Sequence, residues 1–558
     1  MTPGGWPCSH RCSPRSPSRR PQTPAAGFFC DRNNPVDQSG EDIVFSVDDV
    51  ADTTTAHIQI AYEGAAEEFA WILPVATEPH VLLSTDRLFQ ELDWRTRTQF
   101  QLDVVERWHC TGSRGYGYGY DAAGVADTGS TFSSSSNGGG VQVVSQDQVG
   151  PYDTVVLRAR SATELLDWLQ ANDYSLPDTL DAVLTPYIAE ESYFVALKLH
   201  KDTDVGALQP VAIQYPGQGV SIPIQLTSVA ATPDMRLHVY VAGKSRAVPD
   251  SYLHVTVNDL VVDWFSRGAN YDDAITVAAD EAGGQAFATD YSGSSDIMKD
   301  VLFRPGQFDI QALASAPDAY AFFDELLRQG FIGDAQLLAL FRQYLPAPAG
   351  VDEQDFYNCL RCYQPQVDQI PFDAPAFAAA IDEAIVTPLR DAQQMLDRNP
   401  HLSRLTSSVS PHEMTVDPTF VFNPDMDQDI SNTRGATLEM LCGMGGEWSS
   451  APRRLVLADG RAYDLPSEDW FRDAGTTEYE YLSELMSHYA LVIEDTSSSG
   501  QGVVLADFTQ EAFDEAAAFN ERQADAEAKG CGCSTGGVAG SVALLPLVGL
   551  VLRRRRNG

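Results

Sequence analysis

The sequence predicts an α+β protein, β-rich first and more helical later, that closes with a single transmembrane sorting helix. Three observations carry this reading. Runs of β-branched and alternating residues fill positions 43–104 and recur as far as 257. Helical spacing of apolar residues takes over at 307–345 and again at 376–405. Seventeen uncharged residues, 536–552, then run straight into Arg553, Arg554, Arg555 and Arg556.

In chain order, residues 1–26 form a Pro-, Ser- and Arg-rich leader expected to be disordered. An α+β domain is expected over 27–345. Its first strands are read at 43–47, 55–62 and 69–74, and a short helix at 85–92. A Gly-Tyr repeat followed by a Ser and Gly run marks 111–140 as a flexible insertion. Strands resume at 141–144 and 154–157. Ser161 then caps a helix to Leu169, with Glu164 in the capping-box position. Further strands are read at 193–199, 210–214, 222–227, 237–241 and 254–257. A mixed, partly helical region is expected over 346–510, an acidic linker with a cysteine motif over 511–535, and the sorting helix over 536–558.

The chain has 558 residues, 37 basic and 78 acidic, for a net charge of −41. Both ends are basic and free of acids: Arg11, Arg15, Arg19 and Arg20 lie in residues 1–30, and the four terminal arginines in 531–558. The body between them therefore carries −49. Such a surface argues against nucleic acid, because binding phosphate requires Lys and Arg to neutralise it. A hydrophobic fraction of 44% excludes global disorder.

As a helix, the run 536–552 spans ~25 Å, at the short end of what a ~30 Å hydrocarbon core needs. Four arginines directly after it put the C-terminus in the cytoplasm and the acidic body on the far side of the membrane. The order Cys531-Gly-Cys533, small residues, short apolar helix, arginine cluster closely resembles the MYXO-CTERM sorting signal of myxobacterial surface proteins. That resemblance implies export, cleavage near the cysteine motif by a membrane sorting protease, and display at the cell surface. Cys531 or Cys533 would then be the retained, lipid-modified residue. Export also needs an N-terminal signal, and the first forty residues contain no apolar stretch to serve as one. The expectation is therefore a translation start assigned at the wrong place.

Several body segments resemble one exported family of unknown function, numbered 2330. They are Gly27-Phe-Phe-Cys30 with Pro35-Val-Asp-Gln38, Ala56-His-Ile-Gln-Ile-Ala-Tyr62, Phe69-Ala-Trp-Ile-Leu-Pro-Val75 and Val149-Gly-Pro-Tyr-Asp153. Tyr193-Phe-Val-Ala-Leu197, Arg246-Ala-Val-Pro249 and Asp263-Trp-Phe265 complete the set. The resemblance spans residues 27–345, or to 435 at its widest, and implies no activity and no catalytic residue. Family members would carry a second cysteine where Ala25 and Ala26 stand.

The body holds five cysteines, Cys30, Cys110, Cys359, Cys362 and Cys442. Cys359 and Cys362 form a CxxC that follows the acidic run 352–357. Neighbouring acids raise a thiol pKa, which disfavours redox use, and no second CxxC completes a zinc site. A local disulfide is the favoured reading, with Cys30 and Cys110 as the second pair. Asp425, Asp427 and Asp429 resemble the start of a calcium loop, but Ile430 replaces the turn glycine and Ala436 the bidentate glutamate. A solvated acidic turn is favoured, Ca²⁺ binding of another kind being the alternative. No other cofactor is expected. His57 and His238 read as ordinary strand residues. The one literal GxSxG lies in the tail at Gly532–Gly536, without the strand a nucleophile elbow needs.

The expected role is binding or structural work at the cell envelope, with the membrane and a sorting protease as partners. The alternative is an envelope enzyme, hydrolytic or thiol-based, whose active site is assembled from distant positions.

Overall fold

The computed structural model describes residues 28–29, 38–59, 70–107 and 141–530, less 173, 175–179, 200–208, 332, 334, 443–445 and 484. Two β-sheets lie face to face, and helices cover both outer surfaces. The larger sheet has ten strands. From one edge they run Val503–Asp507, Ala490–Asp495, Leu253–Val257, Ala286–Ser294, His401–Val409, Ala231–Gly243, Gln38–Asp48, Thr53–Gln59, Val211–Pro216 and His80–Leu83. Two neighbouring pairs are parallel, Ala231–Gly243 with Gln38–Asp48 and Leu253–Val257 with Ala286–Ser294; the rest are antiparallel.

Alternation along the strands explains the layering. Ile43, Phe45 and Val47 share one core with Leu237, Val239 and Val241, and that core also takes Trp71, Leu73, Val195 and Leu197 from the smaller sheet. The smaller sheet is antiparallel, in the order Phe28–Phe29, Ala70–Val75, Tyr193–Leu199, Tyr152–Arg158, Gln142–Val149. Its other face, through Ile72, Leu157, Phe194 and Ala196, packs on helices Ala162–Ala171 and Leu180–Ala189. The other face of the large sheet presents Val44, Tyr240, Ala242 and Leu402 to helices that include Asp86–Thr96, Ala319–Gln329 and Thr387–Arg398. The result is a four-layer α+β architecture.

Two small sheets complete the body. Val220–Ser221, Thr419–Phe422 and Ala247–Pro249 form one. Ala462–Leu465, Arg453–Leu457, Thr433–Leu441 and Gln99–Arg107 form the other. The large sheet crosses the boundary that the sequence reading places at 345, because His401–Val409 lies between Ala231–Gly243 and Ala286–Ser294.

Local signals translate directly. Thr85 caps the helix Asp86–Thr96, and the Ser161 hydroxyl accepts the Glu164 amide at 3.2 Å. Two expectations are corrected. The strand read at 222–227 is a two-residue strand, Val220–Ser221, followed by the short helix Ile224–Thr227. Pro223 has no N–H for a sheet ladder, and Asp417 accepts the Gln225 amide at 3.0 Å. The helical stretch read to 405 ends at Arg398. Asn399 precedes Pro400 and is extended (φ −100°, ψ 120°), and the chain continues as the strand His401–Val409. The acidic segment after 509 is helical, Thr509–Gly530. Among the described residues no helix is long and apolar enough to cross a membrane. The segment 536–558, where a sorting helix ending in Arg553, Arg554, Arg555 and Arg556 is expected, lies outside them.

Candidate functional site

All nine residues of His401–Val409 are buried, yet six of them, His401, Ser403, Arg404, Thr406, Ser407 and Ser408, are polar. Burying polar groups at the centre of a sheet is costly unless each finds a partner. Five of the six side chains find one, on one face or the other, and the Ser408 hydroxyl does not.

On the helical face the key residue is Asp290, 2% exposed. It sits at an irregularity in the ladder, where the pairing shifts between Thr289 and Tyr291. Thr289 and Asp290 serve opposite faces by ordinary alternation, and the extra residue places Tyr291 on the helical face together with Asp290. Asp290 accepts hydrogen bonds from Thr98 (2.9 Å), Tyr271 (2.9 Å) and Thr406 (2.5 Å), and the Arg404 guanidinium stands 3.4 Å away. Arg404 also donates to Asp93 at 2.9 Å, and Arg434 donates to the Tyr271 hydroxyl (3.0 Å) and to Asp259 (3.2 Å). Burial works to lower the Arg404 pKa, but Tyr240, Asp290 and Asp93 overcome it and hold the guanidinium charged.

The opposite face is organised differently. His254 Nδ1 lies 3.1 Å from Glu494 Oε1, and its Nε2 lies 2.9 Å from the Thr289 hydroxyl. Arg246 donates to Thr289 at 3.3 Å and to the Asp427 carbonyl at 3.1 Å, while its Nε finds no partner. Burial pushes the His254 pKa down, so the ring is neutral. We assign the protons accordingly: Nδ1–H donates to Glu494, Nε2 accepts from Thr289, and Thr289 accepts from Arg246. The hydrogen bond from His254 in turn holds Glu494 below the usual carboxylate range. The positive charge of Arg246 thus meets the negative charge of Glu494 across the neutral His254 ring, which Arg246 reaches both through Thr289 and by its own Nη2, 3.4 Å from His254 Nε2. Beside this relay, the Ser292 hydroxyl lies 2.8 Å from His401 Nε2, and Ser403 accepts the Ala247 amide at 2.9 Å.

The acidic loop singled out in the sequence closes this face. Asn423 accepts the amides of Asp425 and Met426 and donates to the carbonyls of Ser497 and Gly500. Gln428 accepts the Arg246 amide at 2.8 Å. The three aspartates do not share a focus. Asp425 accepts the Gly500 amide, Asp427 accepts the Asp429 amide, and Asp429 lies near Gly293. Among the described residues no group of three His, Cys, Asp or Glu side chains is arranged to hold a metal ion.

Chemically, Thr289, His254 and Glu494 stand in the order of hydroxyl nucleophile, base and orienting acid. Thr289 and His254 are each only 5% exposed, so the relay is closed to substrate. Gly502 permits this closure, since a Cβ there would come within 2.4 Å of Glu494 Oε2.

Of the residues singled out by sequence, Cys359 and Cys362 are joined by a disulfide across a 5.3 Å Cα separation. Cys442 is disulfide-bonded as well. Cys30, Cys110, Cys531 and Cys533 lie outside them too. His57 and His238 are strand residues, bonded to Ser84 and Asp42 at 2.8 Å each. Sequence reading passed over Asp290, His254, Thr289 and Glu494. The one available hint was Arg246, which begins one of the quoted family segments.

No curated protein and no solved structure matches the chain. A family model described as "uncharacterized protein conserved in bacteria" matches residues 21–304, a span that holds Arg246, His254, Thr289, Asp290 and Ser292. With just over half its length covered, the chain belongs to this family, DUF2330.

Proposed function

We propose that the chain is an exported envelope protein that works by binding or as a structural element, held at the cell surface through its C-terminal segment. The observation that carries this reading is the state of the cysteines: Cys359, Cys362 and Cys442 are all disulfide-bonded. Such bonds persist in oxidising compartments and are rare in the cytosol. The closed relay supports binding over catalysis. The arginine-terminated apolar tail supports the membrane and a sorting protease as the partners of maturation.

Mass spectrometry of the mature protein from cell envelopes tests the reading. The expected result is a C-terminus at or near Cys531–Cys533, a lipid on one of those cysteines, and an intact Cys359–Cys362 bond. A cytosolic full-length chain with free thiols overturns it. The same peptide map decides whether Cys110 is bonded to Cys30 or to Cys442.

A second reading, an envelope hydrolase, has the Thr289–His254–Glu494 order in its favour. Covalent labelling of Thr289 by a fluorophosphonate probe, abolished in T289V, would support it. Equal labelling of the two proteins rules it out.

A further inference from the structure

In a body carrying −49, an arginine without a carboxylate is out of keeping with its surroundings. Arg95, Arg158, Arg342 and Arg472, among others, each sit against an acid. Two arginines that line one depression do not. The depression, about 460 Å³, is bounded by Arg87, Val301, Arg304, Pro305, Gly306 and Gln307. Among the described residues no carboxylate lies within ion-pair distance of either guanidinium. Arg87 makes no side-chain hydrogen bond. Arg304 uses only its Nε, donating to the Asp300 carbonyl at 2.8 Å, which leaves both of its terminal nitrogens available.

The walls are fixed in advance. Arg304-Pro305-Gly306-Gln307 forms a type II turn, with proline at its second position and Gly306 at φ +79° at its third, closed by Gln307 N–H to the Arg304 carbonyl at 3.0 Å. The Gln307 side chain accepts the Arg304 amide at 3.1 Å. Buried Gln393, from the helix Thr387–Arg398, accepts the amides of Val301 and Leu302 at 3.1 and 2.9 Å and anchors the loop from beneath. Arg87 stands in the first turn of the eleven-residue helix Asp86–Thr96, where the helix dipole adds positive potential. Neighbouring Asp86 is engaged by the amides of Gln59 and Gln336, which directs it away from a role as counter-ion.

We propose that this depression binds a small molecule through an oxyanion group, phosphate or carboxylate, clamped between Arg87 and Arg304. A planar guanidinium suits either oxyanion in bidentate geometry. The depression is larger than one such group needs, so the remainder of the ligand rests on Val301 and Pro305. This inference goes beyond the proposed envelope role and does not depend on how the chain is exported.

The test uses the purified full-length chain with inorganic phosphate and succinate as separate probes, read by calorimetric titration at fixed ionic strength. The expected result is saturable binding of at least one probe, with the preferred probe naming the oxyanion. Binding should weaken about tenfold in R87Q and again in R304Q. K299Q, which alters a nearby exposed lysine outside the depression, should bind like the parent. Saturable binding that survives R87Q/R304Q, equal loss in K299Q, or no binding of either probe each overturns the proposal. Circular dichroism of the variants separates loss of binding from loss of fold.

Discussion

On the helical face of the His401–Val409 strand, Arg404 meets Asp290 and Asp93 directly. On the opposite face, Arg246 reaches Glu494 through the neutral His254 ring, by way of Thr289 and by its own 3.4 Å contact with His254 Nε2. Both arginines are 4% exposed. The direct pair stands or falls with its acid, because a buried guanidinium without a carboxylate costs far more than the pair itself contributes. The relayed pair has a titratable ring in its middle, so its integrity depends on pH. Strength thus sits on one face, and on the other the relay adds sensitivity to acid.

The largest effect is expected from breaking the direct face. D290A removes the acceptor shared by Thr98, Tyr271 and Thr406 together with the carboxylate ion-paired to Arg404, and should cost about 3–5 kcal/mol. Urea denaturation checks this. A loss no larger than that of a relay variant would erase the contrast between the faces.

On the relay face, T289V removes the shorter hydrogen bond to His254 Nε2 and one acceptor of Arg246, leaving the two joined by their 3.4 Å contact alone, and should cost about 1–3 kcal/mol. T289S keeps the hydroxyl and should recover most of that loss in the same denaturation assay. If the two variants behave alike, the hydroxyl is not the link.

The same face should carry much of the response to acid. His254 and His401 have pKa values lowered mainly by burial, and His57, on the helical side, is pushed down to about 4 by the same cause. For a histidine with a depressed folded value, stability is complete above the unfolded value near 6.5. It is lost as pH falls from there toward the folded value, because the unfolded chain takes up the proton first. The thermal midpoint should therefore drop between pH 6.5 and 4. H254N should flatten that slope, whereas D290A should lower the curve without changing its shape in this window.

Much of the fold was legible because its signals are local. Thr85 and Ser161 announce helix starts within three residues, and the unbroken apolar run Tyr193–Leu197 marks a strand buried on both faces without help from elsewhere. Even the misread boundary at Asn399 had its cause in the next residue, Pro400. The site was not legible in this way. His254 and Glu494 are 240 positions apart, and Arg404 and Asp93 are 311 apart. Their residue types are abundant in the chain, and the irregularity that puts Asp290 and Tyr291 on one face has no sequence signature. Long-range strand order brings these groups together, and that order is a property of the whole sheet.

The smallest effect expected runs in the stabilising direction and asks whether every buried charge on the relay side of the sheet has been given a route to a partner. Glu41 follows the same alternation as Ile43 and Phe45, is 1% exposed, and neither of its carboxylate oxygens has a hydrogen-bond partner. Burial, reinforced by Asp42, raises its pKa well above the ordinary value. For a group with a raised folded value, the favourable contribution is present below the unfolded value near 4.5 and is lost as pH rises through the folded value. At neutral pH the folded state must therefore either keep a proton that the unfolded chain releases or bury a bare charge. E41Q removes that penalty while preserving shape, and should raise stability at pH 7 by about 1 kcal/mol, with the gain vanishing at pH 4. Paired urea titrations at the two pH values decide it. A loss of stability at pH 7 would mean that Glu41 is ionised and held by a cation, and the relay would then not be the only indirect charge pair on this side of the sheet.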